Sequence, residues 1–348
     1  MSILVINSGS TSVKYKLFAD DETEVKQGVL ENIKDHLTAL KLILRQIGDL
    51  RDLTAVGHRV VHGGPNFFQP LAISEKNLAE LEKFSYLAPL HNPYNLAGIK
   101  AAIEYLPQAG QVAVFDTAFY RDLPAAAKNY ALPAELTEKY QIHRYGFHGI
   151  SHKFALLESA RLLNKPVDKI NLITCHLGGG SSITAVKNGA PIDTSMGATP
   201  LEGLVMMTRA GDLDPGIIFE LLRALPGEIN QEKTDQLYDL LNQRSGIKGL
   251  TGINDYQKFL AGVSSGQAGA NSAFDLLINR LVKYIGAYWT LLEGRAEALV
   301  FTGRIGAGNP LTRNTVKKKI KCLGELPVFA VKANEELMIM REVKSILS

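Results

Sequence analysis

Along Val13-Lys14-Tyr15-Lys16-Leu17-Phe18 apolar and polar residues alternate, the period-two pattern of a strand with one buried face. The apolar run Ile3-Leu4-Val5-Ile6 precedes it, and Gly9-Ser10-Thr11-Ser12 lies between, so the stretch 2–18 reads as strand, glycine–serine turn, strand. The plan returns at 171–193. Leu172-Ile173-Thr174 lead into His176-Leu177-Gly178-Gly179-Gly180-Ser181-Ser182, a second strand occupies 183–186, and Lys187-Asn188-Gly189 turns the chain into a third. Asn-Gly tolerates positive φ at both turn positions, which makes it a strong hairpin signal. Elsewhere the period becomes helical. Ile33, Leu37, Leu40, Leu44 and Ile47 predict a helix over 32–47, Ser74 caps one with Leu78, Leu81 and Leu87 inward, and further helices fall at 95–105, 153–163, 216–225 and, capped by Asn334, 337–347. Ser272 and Asp275 have capping-box spacing and predict the start of a long helix to Leu292. Apolar residues nearly encircle it, which predicts a central, buried helix. Strands are expected at 55–64, with a polar end, and at 111–115, 298–302 and 325–331, with a glycine turn at 303–308.

The two strand–turn–strand units carry the first chemical expectation. Glycines and serines between paired strands bring backbone N–H groups and hydroxyls close to a ligand, which suits a phosphate; a glycine-rich hairpin without a ligand is the other reading of either turn alone. Two such turns, one near the beginning of each half, predict a duplicated domain handling a polyphosphate. The length of 348 residues is enough for two cores, and the absence of a Pro/Ser-rich linker predicts a hinge, placed at 117–119.

Composition narrows the classes. The chain is 46% hydrophobic and 21% charged with a net charge of +3, too weak a charge to imply nucleic acid or membrane binding. Lys317-Lys318-Lys319 reads as a solvated helix face. The N-terminus enters a strand directly, so no signal peptide is expected, and no apolar stretch reaches membrane-spanning length. Cys175 and Cys322 lack metal spacing and read as reduced thiols of a cytoplasmic protein. Asp116, at the C-terminal end of an apolar run, stands either in an active site or at a helix N-cap. His148 and His152 are four apart, but position 149 is Gly rather than Glu, so the pair lacks the zinc-protease pattern.

Taken together, NSGSTSVK (7–14), GHRVVHGG (57–64), APLHNP (88–93), VFDTAF (114–119), RYGFHGISH (144–152), CHLGGGSS (175–182), TPLEGLVMMTRAGDLDPG (199–216) and NEEL (334–337) resemble the acetokinase family of the sugar kinase/Hsp70/actin superfamily. The resemblance spans the chain. It implies an α/β fold of two duplicated ribonuclease H-like domains with a cleft between them: 1–117 plus 335–348, and a nucleotide-binding domain at 118–334. It implies Mg²⁺-dependent (or Mn²⁺-dependent) reversible transfer of the ATP γ-phosphoryl to acetate, giving acetyl phosphate and ADP, in a homodimer. A carboxylate is already an anion and needs no general base, so catalysis rests on positioning and charge neutralisation.

By the same resemblance Arg59, Asp116, His148 and Arg209 are catalytic, Arg59 and Arg209 flanking the phosphoryl group and the carboxylate. Asn7 and Glu335 match metal positions. Val61, Leu90, His91, Phe147 and Pro200, with Arg59, match the acyl site, and Val61 implies acetate over propionate by about 1–3 kcal/mol. Ser10, Ser12, Lys14, His176, Gly178, Gly179, Gly180 and Ser181 match the phosphate turns; Asp255, Gly303, Arg304 and Gly306 match the nucleotide site. The sequence departs from the family at that end. Gly179 replaces an asparagine, Arg304 replaces a glycine, and Gln257 replaces an arginine near the base. The alternative is therefore a short-chain carboxylate kinase using another donor such as pyrophosphate, or preferring propionate or butyrate; Arg304 either crowds the base or supplies charge for a phosphate donor.

Overall fold

The computed structural model describes residues 1–347, which divide into two compact units: 1–122 with 147–154 and 334–347, and 123–146 with 155–333. The first unit holds a six-stranded sheet of β1 (Ser2–Ser8), β2 (Ser12–Ala19), β3 (Glu24–Glu31), β4 (Leu53–Val60), β5 (Leu71–Ala72) and β6 (Gly110–Phe115), in the order β3-β2-β1-β4-β6-β5. β1, β2 and β3 form an antiparallel meander, and β4 and β6 extend it in parallel with β1. The alternation read in β2 is real: Val13, Tyr15 and Leu17 are buried in a core with Leu4, Ile6, Val56 and the helix His36–Ile47, whose Leu40 and Ile43 face the sheet. Asp35 caps that helix, so it starts four residues later than the apolar spacing implies. Ser74 caps Glu75–Lys83 as expected, with Asn77 completing the capping box.

On β4, Gly57 and Arg59 share one face because side chains alternate along a strand. A Cβ at Gly57 would stand 2.7 Å from Val343 and 2.8 Å from Ile339, so its absence lets the last helix, Glu335–Leu347, lie against the strand. Residues 335, 339 and 343 form one stripe at a spacing of four. Packing Ile339 and Val343 over Gly57 therefore delivers Glu335 to Arg59. Asn334 caps the helix by accepting from the Leu337 N–H at 3.3 Å.

The second unit holds β7 (Leu172–Leu177), β8 (Ser181–Lys187), β9 (Ala190–Thr194), β10 (Ala298–Thr302) and β11 (Val328–Ala330), in the order β11-β10-β7-β8-β9. Its plan parallels the first: an antiparallel meander, here β7, β8 and β9, extended by strands parallel to its first member. Asn188 and Gly189 have φ of 50° and 74°, the left-handed pair predicted for the β8–β9 turn.

Several expectations are corrected. The long helix runs Ala268–Leu291, capped at Gln267, so Ser272 and Asp275 are exposed positions inside it rather than its capping box. Ala268-Gly269-Ala270-Asn271 contains no proline, and the helix propensity of its two alanines, with the packing of Ala270, carries the helix a further turn despite Gly269. Nor is it encircled: Ala273, Phe274, Leu277, Ile278, Leu281 and Ile285 form one buried stripe, while Leu276 and Leu291 are exposed. The glycine stretch at 303–308 winds into a helical turn, Gly303–Gly306, and the strand expected at 325–331 shortens to Val328–Ala330. The helix expected at 153–163 starts at Gly149, so part of the RYGFHGISH motif forms its first turn. Lys317–Lys319 are exposed on a helix end, as read. Among the described residues, no helix is long and apolar enough to cross a membrane.

Candidate active site

Each unit gathers part of the predicted set. In the first unit the parallel strands β1, β4 and β6 run side by side, and their C-terminal ends carry Asn7, Arg59 and Asp116. The register Ile6↔His58 puts Asn7 level with Arg59, and Val60↔Phe115 puts Asp116 one residue beyond β6. Arg59 clasps Asp116 with Nη2–Oδ2 at 2.6 Å and Nε–Oδ2 at 3.2 Å, and its Nη1 stands 3.6 Å from Glu335 Oε2. Asp116 is therefore the partner of an arginine and not a helix cap. Burial alone would lower the Arg59 pKa, but the carboxylates of Asp116 and Glu335 outweigh it and hold the guanidinium above its ordinary range. Burial pushes the Asp116 carboxyl up, and Arg59 opposes that rise.

Backbone contacts lock this corner. The Asp116 N–H donates to the Val60 carbonyl at 3.0 Å, and the Asp116 carbonyl accepts from the Gly149 N–H at 2.9 Å. A Cβ on Gly149 would lie 2.2 Å from that carbonyl, so only glycine allows the close approach. His148 precedes it with φ of 58°, a left-handed conformation rare outside glycine and concentrated at functional sites. Phe147 is buried against the edge of His62, ring centroids 5.6 Å apart.

Val61 is buried, its N–H donating to Asn95 Oδ1 at 3.1 Å. Leu90 and His91 are partly exposed at the head of the helix Asn92–Tyr105, where His91 is the cap residue. Lys16 bonds Asn334 Oδ1 at 3.1 Å and ties the start of the last helix to β2. In the first glycine–serine turn the Gly9 N–H donates to the Ser12 carbonyl at 2.8 Å; Ser10 and Lys14 are exposed, Ser12 half-buried.

The second unit holds the rest. The Gly178 N–H donates to the Gly180 carbonyl at 2.9 Å, which closes the turn between β7 and β8, with His176 and Ser181 buried at its base. A Cβ at Gly179 meets nothing within 4 Å, so the departure there is not forced by crowding. Gly303 is forced: its φ is 78°, and a Cβ would lie 2.5 Å from the Leu177 carbonyl. Arg304 is exposed and, with Gly303, Ala307, Gly308 and Lys332, lines an open cavity of about 500 Å³ that it does not fill. Gly306 is buried behind it. Asp255 caps the helix Tyr256–Ser264 by accepting from the Lys258 N–H at 2.9 Å, and Gln257 is exposed. Arg209 Nη1 donates to the Pro200 carbonyl at 3.3 Å and stands 3.9 Å from Met206 Sδ. Burial lowers its pKa from the ordinary value, and Tyr238 opposes this.

Several supporting residues were missed by sequence reasoning. Asn92 brackets His62 with two bonds, Oδ1 accepting from its N–H at 3.1 Å and Nδ2 donating to its carbonyl at 2.8 Å. Asn95 joins Val61 to the Ser8 carbonyl, the latter at 2.6 Å, and so links β1 to the end of β4. Buried amides inside an otherwise apolar helix were the available signal. Gly246, at φ of 60°, packs its Cα against the carbonyls of Met206 and Arg209, where a Cβ would stand at 2.3 and 2.7 Å.

The donors suit a hard divalent cation. No group of three or more His, Cys, Asp or Glu able to hold a metal occurs among the described residues. Mg²⁺ is usually held by only one or two carboxylates, completing its shell with water and substrate phosphate. Asp116 and Glu335 supply two carboxylates about Arg59, and Asn7 adds an amide oxygen at the same strand ends, which fits that habit.

The chain is similar to known acetate kinases along its length. The acetokinase family profile matches residues 21–327. The acetate kinase of Thermotoga maritima is 40% identical, with 100% of this chain and 99% of that one covered. The Streptomyces coelicolor acetate kinase is 42% identical over 92% of this chain and 85% of its own. Among solved structures, Porphyromonas gingivalis acetate kinase superposes with a TM-score of 0.91 at 33% identity over the whole of both chains, and a propionate kinase from Francisella tularensis with 0.92 at 34% over 98% of each.

Proposed function

The chain belongs to the acetokinase family, and on that premise we propose that it is an acetate kinase, moving the γ-phosphoryl of ATP to acetate and, in reverse, from acetyl phosphate to ADP. The observation that carries the reading is the Arg59–Asp116–Glu335 cluster, where the C-terminal ends of β4 and β6 meet the start of the last helix, in a chain whose residues 21–327 match the family.

The acetate carboxylate is its own nucleophile, so the barrier lies in bringing it up to an anionic phosphoryl group. Arg59 and Arg209 each offer a planar guanidinium fork that matches carboxylate or phosphoryl oxygens and offsets such repulsion. His148, whose backbone is left-handed, donates a hydrogen bond to a phosphoryl oxygen. Asn7, Asp116 and Glu335 would hold Mg²⁺, which would supply neutralisation of phosphate charge. Ser10, Ser12 and Lys14, and the turn His176–Ser181, hold phosphates; Asp255, Gly303, Arg304 and Gly306 surround the nucleoside. Because Arg304 lies at the wall of its cavity rather than inside it, the base has room and ATP is the favoured donor. Val61, Leu90, His91 and Phe147 in the first unit, and Pro200 in the second, are the acyl-site residues of this reading, and Val61 favours acetate over propionate.

The repeated strand order of the two sheets supports descent from a duplicated domain, hinged near 117–119 and divided as 1–117 with 335–348 and 118–334. A homodimer is supported by the helix Gly216–Ala224, which buries none of its residues and exposes Phe219 and Ile217, apolar surface that a second copy would cover; sedimentation as a monomer at micromolar concentration would remove that part of the reading. A cytoplasmic place accords with the fully buried, unpaired Cys175.

The test is acetyl phosphate formation, trapped with hydroxylamine, with acetate or propionate as acceptor and ATP, GTP or pyrophosphate as donor. Turnover fastest with ATP and acetate is expected. Turnover with pyrophosphate alone would overturn the donor, and equal rates with propionate would overturn the acyl pocket.

A further inference from the structure

Pro200 and Arg209 sit on an irregular stretch, residues 195–212, that forms no regular strand or helix of its own. A second cluster of polar side chains, none assigned a role above, holds it. Arg144 spends its whole guanidinium there. Nε donates to the Ala127 carbonyl at 3.1 Å, Nη1 to the carbonyls of Thr194 at 3.0 Å and Met196 at 3.1 Å, and Nη2 to Glu202 Oε1 at 2.7 Å. Tyr130 closes the other side. Its hydroxyl donates to Glu202 Oε2 at 2.5 Å and accepts from the Ala198 N–H at 2.9 Å, while the guanidinium lies 5.5 Å from the centre of its ring.

The chain at Gly197 threads between these groups. A Cβ there would stand 1.8 Å from Glu202 Oε2 and 2.0 Å from the Tyr130 hydroxyl, so glycine is needed for the tyrosine–glutamate bond to form. One residue beyond Glu202, the Gly203 N–H donates to Asp212 Oδ1 at 2.7 Å, and the Asp212 N–H returns to the Gly203 carbonyl at 2.9 Å. Asp212 in turn bonds Arg280 at 2.7 Å and Tyr284 at 3.0 Å.

Pro200 is thus pinned from both directions: through Ala198 by Tyr130, and through Glu202 by Arg144 and Tyr130 together. Its carbonyl is the acceptor that fixes one Nη of Arg209. Both oxygens of Glu202 are used inside the clamp. A neutral amide in its place loses one of the two charge-assisted bonds and must present an NH₂ to a donor.

We propose that Glu202, held by Arg144 and Tyr130, is a positioning residue that sets Pro200 and through it the aim of Arg209. The proposal rests on the reading of Arg209 as a group that meets the reacting anions. Misplacement of such a group by about 1 Å lowers the rate about 100-fold, and loss of a supporting hydrogen-bond partner typically lowers function 10–100-fold.

The experiment is a double-mutant cycle on the hydroxylamine-trapped reaction, with kcat, KM for acetate and KM for ATP determined separately. Glu202→Gln is expected to lower kcat 10–100-fold, to leave KM for ATP within about twofold, and to keep the far-ultraviolet spectrum and melting cooperativity of the parent. Tyr130→Phe, which loses only the hydroxyl, should fall in the same direction by less. The decisive result is coupling. Once Arg209→Ala has removed the side chain being aimed, Glu202→Gln should lower kcat no further. Full additivity in the double variant would overturn the proposal, as would wild-type kcat in Glu202→Gln. If Arg209→Ala itself kept wild-type kcat, the role of Arg209 would fail instead, and the two failures are thereby distinguished.

Discussion

Arg59 in the first unit and Arg209 in the second are both largely withdrawn from water, yet they are held in opposite ways. Arg59 is clasped by Asp116 at 2.6 Å with Glu335 at 3.6 Å, and its pKa is raised. The named contacts of Arg209 are a carbonyl at 3.3 Å and a thioether at 3.9 Å, and its pKa is lowered by burial. One arginine belongs to the electrostatics of its fold. The other is kept in place by backbone geometry: Gly246 packed on the Met206 and Arg209 carbonyls, and the Met206 N–H bonded to the Arg209 carbonyl at 3.1 Å. The carboxylates about Arg59 outweigh its burial and so organise a site, whereas burial dominates at Arg209, whose charge an incoming anion would stabilise.

The difference separates two variants that lose activity alike. An arginine acting on a transferring phosphoryl group contributes roughly 10³–10⁵ in rate, so Arg59→Ala and Arg209→Ala should both fall steeply in kcat. Their stabilities should diverge. Arg59→Ala leaves Asp116 buried without its guanidinium, and breaking a buried pair by removing one partner costs about 3–5 kcal/mol. Arg209→Ala removes a cation that burial already disfavours and should stay within about 1 kcal/mol of the parent. The Arg59 deficit should also shrink on acidification. Without the guanidinium the Asp116 pKa rises further, so the folded state takes up a proton more readily than the unfolded one and regains stability as pH falls through that raised value. Urea denaturation at pH 7.5 and pH 5 reads both effects, and equal destabilisation of the two variants would break the comparison.

What could be read from the sequence follows the range of the interactions. The Asn188–Gly189 turn, the Ser74 cap and the alternation in β2 depend on neighbours along the chain, and all three are found. β3 was not foreseen because Glu24–Glu31 is largely exposed and pairs only with β2, which leaves no burial period to detect. The start of the helix Ala268–Leu291 was misplaced because capping-box spacing was weighed without the alanines before it. At the site, residue types were legible through the family resemblance, but the geometry was not. Glu335 reaches Arg59 only because Gly57 admits Ile339 and Val343, a contact between distant parts of the chain that no local pattern encodes. Gly246 and Gly197 are likewise visible only once their opposing atoms are known.

A second difference between the units concerns acid. His58, beside Arg59 on β4, is buried and donates from Nε2 to Gln111 Oε1 at 2.8 Å; burial lowers its pKa to about 4. The unfolded chain takes up that proton near 6.5, so the stabilisation from neutral His58 is full above pH 6.5 and is lost as pH falls toward 4. The interval amounts to about 3 kcal/mol. His143 in the second unit is also lowered to about 4 but is only partly buried, and its contribution is correspondingly smaller. Denaturation midpoints measured from pH 7.5 to 4.5 should therefore fall, and His58→Gln should flatten the curve more than His143→Gln. A steeper flattening by His143→Gln would reverse the assignment.

The smallest effects lie within the second unit, between two glycines. Gly303→Ala must place a Cβ 2.5 Å from the Leu177 carbonyl at φ of 78°, strain of about 1–3 kcal/mol that the buried turn has no room to relieve. Gly179→Asn meets open space, and its carbonyl can keep the 3.3 Å bond from the Met207 N–H, so stability should change by no more than about 0.5 kcal/mol. The new amide would offer one more donor at the phosphate turn. A hydrogen bond to a charged oxygen contributes about 1.5–3 kcal/mol, so KM for ATP should fall by about tenfold or more with acetate affinity unchanged. If Gly179→Asn instead destabilises as much as Gly303→Ala, the turn is sterically closed and the departure at 179 is a packing requirement. If it folds normally and leaves ATP binding untouched, position 179 does not face phosphate, and the turn's part in holding the donor falls to its backbone and to Ser181.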